Sequence, residues 1–241
     1  MQSTPKLLIH FRNFPASPNS YPKKERLWVD SLARAARKGY FQRARWTSRA
    51  RRVRATLTCL EIHGWVSIDA TFTSLFSLFS NLTTLFAQPR CADGCAFPLT
   101  DQDMVQLSAA LPRLETLDLG GPCPLGTCNT TVFCLLALSV HCKNLRRLMI
   151  HFNTTNLTND IQSLSEDPYF RDLGSLPTRC HLMSFDAGGS PFPRPTSDED
   201  ITTIAAGLIG IFPSLIDVHS YIGKNWTVLR SRVRKLRGLP P

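Results

Sequence analysis

The stretch Leu99–Gly121, LTDQDMVQLSAALPRLETLDLGG, contains one complete structural unit of this chain. Thr100 is suited to cap a helix, and Asp103 completes a capping box, in which each of the two side chains bonds the other's backbone N–H. Four apolar residues then recur at helical spacing: Met104, Leu107, Ala110 and Leu111. Pro112 ends the helix, and Leu114 opens a short strand, LETLDL. The stretch therefore predicts a helix, a tight turn and a strand.

Six leucine-led copies of this strand occur along the chain. They begin at Leu57, Leu82, Leu114, Leu145, Leu182 and Leu215, at intervals of 25, 32, 31, 37 and 33 residues. The recurrence predicts an α/β leucine-rich-repeat solenoid, a curved parallel sheet of about six short strands with outer helices. The unit before Leu182 departs from the pattern. There, residues 157–181 are predicted to form a loop with at most a short helix around 161–165.

Charge is distributed unevenly over the 241 residues. Residues 23–54 contain 12 Lys or Arg and 2 acids, residues 55–217 contain 8 basic and 16 acidic residues, and residues 218–241 contain 6 basic residues and no acid. We therefore expect a basic, partly helical N-terminal capping segment at 1–54 and a leucine-rich-repeat domain at 55–241. No apolar stretch is long enough for a membrane span, and no secretory signal is recognised, so we expect a cytoplasmic or nuclear protein.

The basic segment 23–54 has two interpretations. A solenoid needs an end cap, and a helix here would supply one, with its arginines solvated or paired with the acidic first repeats. Alternatively, Phe41 and Trp46 would stack on bases while the arginines around them neutralise phosphates. The candidate nucleic-acid or nuclear-import patch consists of Arg49, Arg51, Arg52 and Arg54. The sequence leaves both interpretations open.

Four cysteines raise the question of a metal site: Cys91, Cys95, Cys123 and Cys128. They lie in two loops of adjacent repeats, and stacking could bring four thiolates together, as in a structural zinc site. Their spacing is looser than that of CxxC pairs, so we expect no metal, although the question stays open. The sequence has no GxSxG, HExxH, P-loop or GxGxxG motif. We therefore expect no cofactor, no catalytic residue and no enzymatic activity.

Side chains alternate along a strand, so the residues between the buried leucines face outward. The central outward column is predicted to be Glu61, Phe86, Asp118, Met149, Asp186 and His219. One flank is Cys59, Thr84, Thr116, Arg147, Ser184 and Asp217, and the other is His63, Gln88, Gly120, His151, Gly188 and Tyr221. Acids mixed with aromatic and methionine side chains are typical of a protein-binding surface. The central column, together with Arg147 and Tyr221, is therefore the candidate partner-binding site.

These repeats resemble a known family, the fungal F-box proteins with leucine-rich repeats of the ribonuclease-inhibitor-like type. The resemblance covers about residues 55–235. It rests on Leu99–Gly121, LTCLEIHG (Leu57–Gly64), TVFCLLALSVHCKNLRRLMIHF (Thr131–Phe152), IFPSL (Ile211–Leu215) and NWTVLRSRV (Asn225–Val233). In that family the F-box docks a Skp-type adaptor of an SCF ubiquitin ligase, and the repeats hold the target protein.

The resemblance implies a non-enzymatic protein-interaction module, the substrate-recognition part of an F-box-type ubiquitin-ligase adaptor. An F-box is a bundle of short apolar helices that opens with Leu-Pro, and residues 1–54 contain no such pattern. We therefore expect a Skp-type adaptor as a partner only if a missing upstream segment supplies the F-box. The alternatives are a repeat-only scaffold without a ligase role and a nucleic-acid binder acting through residues 23–54.

Overall fold

The computed structural model describes residues 6–10, 57–65, 76, 79–89, 97–120, 128–166, 180–192 and 197–240. The strands in these ranges are β1 (Lys6–His10), β2 (Cys59–Trp65), β3 (Thr84–Pro89), β4 (Phe97–Thr100), β5 (Thr116–Asp118), β6 (Cys128–Asn129), β7 (Arg147–Met149), β8 (Ser184–Asp186) and β9 (Asp217–His219). The helices described in full are α1 (Asp101–Ala110), α2 (Val132–His141), α3 (Leu157–Glu166), α4 (Asp198–Ile211) and α5 (Lys224–Leu236).

Seven of the strands form one sheet in which every pair is parallel, in the order β1-β2-β3-β5-β7-β8-β9. The α/β class with a parallel sheet is thus confirmed. Because each crossover moves to the next strand in the same direction, right-handed connections place the intervening helices on one side of the sheet. β4 and β6 form a separate two-stranded parallel sheet. β1 lies in the N-terminal segment, where we did not predict a strand.

The helix-facing side of the large sheet is apolar. Its in-register row of buried residues is Leu60, Leu85, Leu117, Leu148, Phe185 and Val218. This row belongs to one core cluster with buried helix side chains such as Met104, Leu138 and Ile204. Burial of a side chain of this size contributes roughly 1.5–3 kcal/mol relative to exposure, so the apolar face of each helix holds it against the sheet.

The predicted helix caps are present. At the start of α1 the Asp103 N–H donates to Thr100 Oγ1 (3.2 Å), and the Thr100 N–H donates to Asp103 Oδ2 (2.9 Å). Ser197 and Asp200 form the same reciprocal pair at the start of α4, with both bonds 3.1 Å long. These bonds satisfy N–H groups that have no partner inside the helix. The polar residues ahead of each apolar run therefore determine where these helices begin.

The same backbone turn precedes four of the strands. The N–H of the leading leucine donates to the carbonyl three residues earlier, with N···O distances of 2.9–3.1 Å: Leu82 to Phe79, Leu114 to Leu111, Leu145 to Cys142 and Leu215 to Phe212. Neighbouring copies are joined just after this turn. The carbonyl of Glu115, for example, accepts from the N–H groups of Arg146 and Arg147 at 2.8 and 3.1 Å. Backbone groups that a single unit leaves unpaired are thus satisfied by the next one.

The last helix covers the final repeat. α5 packs against α4 and β9 and buries Trp226, Leu229 and Val233. The Trp226 Nε1–H donates to the Ser190 carbonyl (3.0 Å), and its ring meets Phe192 edge-on, with centroids 4.9 Å apart. Arg232 of α5 forms an ion pair with Asp198 of α4. The last helix, α5, therefore covers apolar side chains next to α4 and β9.

One prediction about an element is wrong. The segment before β8 was predicted to contain at most a short helix around 161–165, but α3 extends from Leu157 to Glu166 and buries Leu157, Ile161 and Leu164. The close approach of Ile161 to Gly207 of α4 explains why a helix fits here, because a Cβ at Gly207 would lie 2.2 Å from Ile161 Cγ2. None of the helices described here is both long and apolar enough to cross a membrane.

Candidate functional site

The candidate binding residues lie on the surface of the large sheet that faces away from the helices. We call this helix-free surface of the sheet the outer face. Its central column lies in register across six strands: Glu61, Phe86, Asp118, Met149, Asp186 and His219. Its flanking column is in register as well: Cys59, Thr84, Thr116, Arg147, Ser184 and Asp217. The structure therefore brings together the residues that the alternation pattern assigned to one surface. Their role in binding stays a prediction.

Two of the six residues of the third predicted column lie within strands of the sheet. His63 and Gln88 pair in register on β2 and β3, while Gly120, His151, Gly188 and Tyr221 lie just beyond the ends of their strands. Tyr221 is 57% exposed. His151 was expected to face outward, but it is buried, and this burial lowers the pKa of its imidazole. The chain has left the strand geometry by residue 151, so alternation no longer determines the direction of the side chain.

Asp118 and Asp186 lie on two strands separated by one, with Met149 in register between them. Because neighbouring strands are about 4.8 Å apart, the two backbones are separated by roughly 10 Å. The Gly120 N–H donates to Asp118 Oδ1 (3.1 Å), and the Gly188 N–H donates to Asp186 Oδ1 (2.7 Å). We call Asp118 and Asp186 the carboxylate pair. The two are held by equivalent turns at the ends of their strands.

Met149 and Tyr221 complete this part of the outer face. Met149 lies against Gly120, where an added Cβ would be 2.4 Å from Met149 Cγ and 2.8 Å from its Sδ. The Tyr221 hydroxyl lies 4.0 Å from Met149 Sδ. Partial burial raises the pKa of Tyr221, and the negative charges of Asp186 and Asp118 raise it further. The phenol hydroxyl is therefore within the electrostatic field of both carboxylates.

Asp118 is in the more enclosed position of the pair, with only 9% of its surface exposed. Burial raises the pKa of its carboxyl to about 6; the Gly120 N–H opposes this shift, and the charge of Asp186 adds to it. Among the residues that the structure describes, no Lys, Arg or His forms an ion pair with Asp118 or Asp186. Neither carboxylate therefore has an ion-pair partner among the described residues, and the exposed Arg147 on the intervening strand is not paired with either of them.

Asp217 on the neighbouring strand β9 differs in this respect. Its Oδ2 lies 2.8 Å from His219 Nε2 and 3.2 Å from Arg230 Nη2, and its Oδ1 lies 2.6 Å from Arg230 Nε. Asp217 Oδ1 and Arg230 Nε are both buried, and they form an ion pair whose geometry is not that of a hydrogen bond. Arg230 comes from α5, so its place beside β9 was missed by the sequence analysis. Only the docking of the last helix brings it to the outer face.

The arrangement can recognise charged and apolar groups. His219 is oriented by Asp217, as a general base often is, but no described hydroxyl or thiol is hydrogen-bonded to His219. Glu61 and Phe86, at the other end of the column, are half-buried, and Arg147 is exposed. The face thus combines acidic groups, aromatic rings and a methionine, which are the components of a protein-recognition surface.

The structure describes one of the four cysteines considered for a metal site, Cys128. Cys91, Cys95 and Cys123 lie outside the described residues. Cys128 Sγ lies 3.0 Å from the His151 carbonyl oxygen and 2.9 Å from Thr130 Oγ1, and burial raises the pKa of its thiol. Within the described ranges no three side chains of the metal-ligating types converge. The Arg patch at Arg49, Arg51, Arg52 and Arg54 also falls outside the described residues.

A scan against protein-family models finds no family that matches this chain, and no curated protein has a significantly similar sequence. The functional interpretation therefore depends on the geometry described above.

Proposed function

We propose that this chain is a leucine-rich-repeat solenoid that binds a protein partner through its outer face and catalyses no reaction. The observation that carries the proposal is the in-register alignment of Phe86, Met149 and the acids of the central column on the surface opposite the helices. Interfaces are enriched in aromatic residues and methionine, with polar groups around them.

The repeat architecture is supported by the order of the elements. The strands follow one another in the sheet in chain order, and the same turn precedes four of them. The defining property of a solenoid is that each unit buries its apolar face only against neighbouring units. A solenoid presents its strands as one extended surface, which suits a protein partner better than a small molecule.

We further propose that the partner is a target protein of an F-box-type ubiquitin ligase, in the cytoplasm or the nucleus. This proposal depends on the resemblance of the repeats to those of F-box proteins. A Skp-type adaptor would join the complex only through an F-box supplied by an upstream segment. The alternatives are a scaffold that binds its partner without ligase subunits, and binding of nucleic acid through residues 23–54.

Site-specific photo-crosslinking tests the proposed surface. A benzoylphenylalanine introduced in place of Tyr221 is expected to crosslink to a defined protein in fungal cells. The matched control is the same group in place of Phe133, an aromatic residue of α2 that is 43% exposed on the helix layer. Tyr221→Ala should weaken capture of the same partner, and Phe133→Ala should not. Equal crosslinking from both positions would contradict binding at the outer face.

The ligase role has a separate test. Mass spectrometry of the proteins that co-purify with the chain when it carries the upstream F-box segment should recover Skp and cullin subunits together with the crosslinked partner. Recovery of the partner without any ligase subunit would reject the ligase role and support the scaffold alternative. Strongly salt-dependent RNA or DNA binding that is lost on replacing Arg49, Arg51, Arg52 and Arg54 with Ala would favour the nucleic-acid alternative.

A further inference from the structure

We propose that Asp118, Asp186 and Tyr221 form a receptor for a cationic side chain, an arginine or a lysine, of the protein partner. This inference rests on the proposed function and specifies the chemistry that the outer face recognises. It depends on the positions of the three groups and on the balance of charge along the outer face.

The three groups lie around Met149. The carboxylate pair brackets Met149 on adjacent strands, and the Tyr221 hydroxyl lies 4.0 Å from Met149 Sδ. Each carboxylate uses Oδ1 for its glycine N–H, which leaves Oδ2 available as an acceptor. A guanidinium or ammonium group above Met149 would therefore meet carboxylate oxygens from both sides, as cationic side chains require for strong hydrogen bonds.

Apolar and aromatic surface adjoins these charges. Met149 offers a thioether floor for the methylene stem of Arg or Lys, which such side chains bury while the charged end stays polar. Tyr221 is 57% exposed, and its ring is available to a cation approaching from solvent. A carboxylate pair alone would also attract a metal ion. The exposed ring and the thioether favour an organic cation instead.

The outer face already contains an example of this recognition within the chain. Asp217, one strand beyond Asp186, holds the guanidinium group of Arg230 at 2.6 and 3.2 Å. The charge of Asp217 is thus balanced by α5. Asp118 and Asp186 form no such ion pair with a described residue. Charge complementarity therefore points to a partner that supplies the missing cation.

Nuclear magnetic resonance of the full chain tests the proposal directly, because the amides of Gly120 and Gly188 donate to the two carboxylates. N-acetyl-argininamide and N-acetyl-lysinamide are titrated into the ¹⁵N-labelled protein, with neutral N-acetyl-citrullinamide as the matched control. We expect saturable shifts of the two amide resonances with a cationic probe only. The Gly207 amide, in α4 on the helix layer, should not move.

Variants identify the receptor groups. Asp118→Asn together with Asp186→Asn preserves the shape and the glycine hydrogen bonds, and should weaken binding of the cationic probe at least about tenfold. Glu199→Gln removes one exposed carboxylate from α4 and should leave the affinity unchanged. The dispersion of the amide spectrum verifies that each variant is folded.

Three results would overturn the proposal. These are the absence of a saturable shift with both cationic probes, an equal shift with the citrulline probe, and binding that is unchanged in the double Asn variant. Shifts of the same two amides by calcium chloride at lower concentration would identify a metal site instead. The proposed function is tested separately, since it fails if the Tyr221 and Phe133 positions crosslink alike. Failure of the cation receptor can therefore be distinguished from failure of the proposed function.

Discussion

At the scale of single residues, Asp118 is a candidate binding residue whose burial lowers the stability of the fold when its carboxyl is charged. Its carboxyl lies on a crowded sheet surface, where burial raises the pKa to about 6 from the usual 3.8. The folded chain therefore holds this proton more tightly than the unfolded chain does. The stability that results is fully present below about pH 4 and is lost as the pH rises through about 6. A charged Asp118 thus destabilises the fold at neutral pH.

Asp118→Asn is expected to increase the free energy of unfolding at neutral pH by about 1–3 kcal/mol. The Asn side chain stays uncharged and can still accept from the Gly120 N–H. Urea unfolding should show that the difference from the wild type shrinks as the pH falls and disappears near about pH 4. A difference of the same size at every pH would show that ionisation of Asp118 is not its cause.

Cys142 shows how one residue joins two repeats. It ends α2, and its buried thiol lies 3.5 Å from the carbonyl of Leu111 and 3.6 Å from that of Ser108, both in the preceding unit. Burial raises the pKa of the Cys142 thiol to about 12, so the sulfur keeps its proton at neutral pH and can donate it in a hydrogen bond.

Replacing Cys142 with Ala should reduce the free energy of unfolding by about 1–2 kcal/mol, because it leaves a small cavity between the repeats. Cys59→Ala is the matched control, since Cys59 is half-buried at the edge of the outer face, and should change stability by less than about 0.5 kcal/mol. Equal losses in the two variants, measured by urea unfolding, would argue against a structural role for the buried thiol.

At the scale of elements, α1, α2 and α4 each begin where a polar side chain caps the helix and end at a turn that leads into a strand. Thr100 and Asp103 satisfy each other's backbone N–H groups at the start of α1. The first turn of α1 also touches the next repeat, because the Thr131 N–H and hydroxyl donate to the Asp101 carboxylate at 2.8 and 2.7 Å. The cap of one helix is therefore part of the contact between units.

Thr100→Ala is expected to reduce the free energy of unfolding by about 1 kcal/mol, the usual effect of losing an N-cap side chain. Thr227→Ala is the control, because Thr227 is exposed within α5, where Ala is the better helix former. It should be neutral or slightly stabilising. Thermal unfolding followed by circular dichroism compares the two, and an equal loss would show that the cap of α1 contributes nothing specific.

At the scale of the whole molecule, the sheet grows in chain order, so most contacts join neighbouring units. The final repeat is closed by α5 through Trp226, whose ring contacts Phe152 and Phe185 edge-on at centroid distances of 6.4 and 6.5 Å. In the solenoid that we propose, damage at one end is expected to spread locally before it reaches the far end.

Trp226→Ala should reduce stability by about 3–5 kcal/mol, as loss of a large buried aromatic side chain does. Hydrogen exchange should speed up most in β8, β9, α4 and α5, while α1 and α2 keep more of their protection. Leu236→Ala, at an exposed position of the same helix, is the matched control. A uniform loss of protection throughout the chain would show that the repeats unfold as a single cooperative unit.

The sequence predicted the six leucine-led strands, the cap of α1 and two columns of the outer face, because each depends on local spacing. Leu117 is buried and Asp118 belongs to the opposite column, as alternation requires. Among the described elements, β1, β4, β6 and α5 were not predicted, and α3 is longer than predicted. The segment that forms β1 carries no repeat signature, and α3 lacks a capping motif and is stabilised by packing of its buried face, with Ile161 close to Gly207.

The amino-acid sequence by itself determined the repeating unit, since helix caps, apolar spacing and strand alternation act over a few residues. Only the tertiary structure decided which charges on the outer face are balanced. Arg230 reaches Asp217 because α5 packs against β9, whereas the carboxylates of Asp118 and Asp186 accept glycine N–H groups and form no ion pair with any described residue. Electrostatic pairing depends on distances between remote segments, and local sequence spacing does not contain those distances.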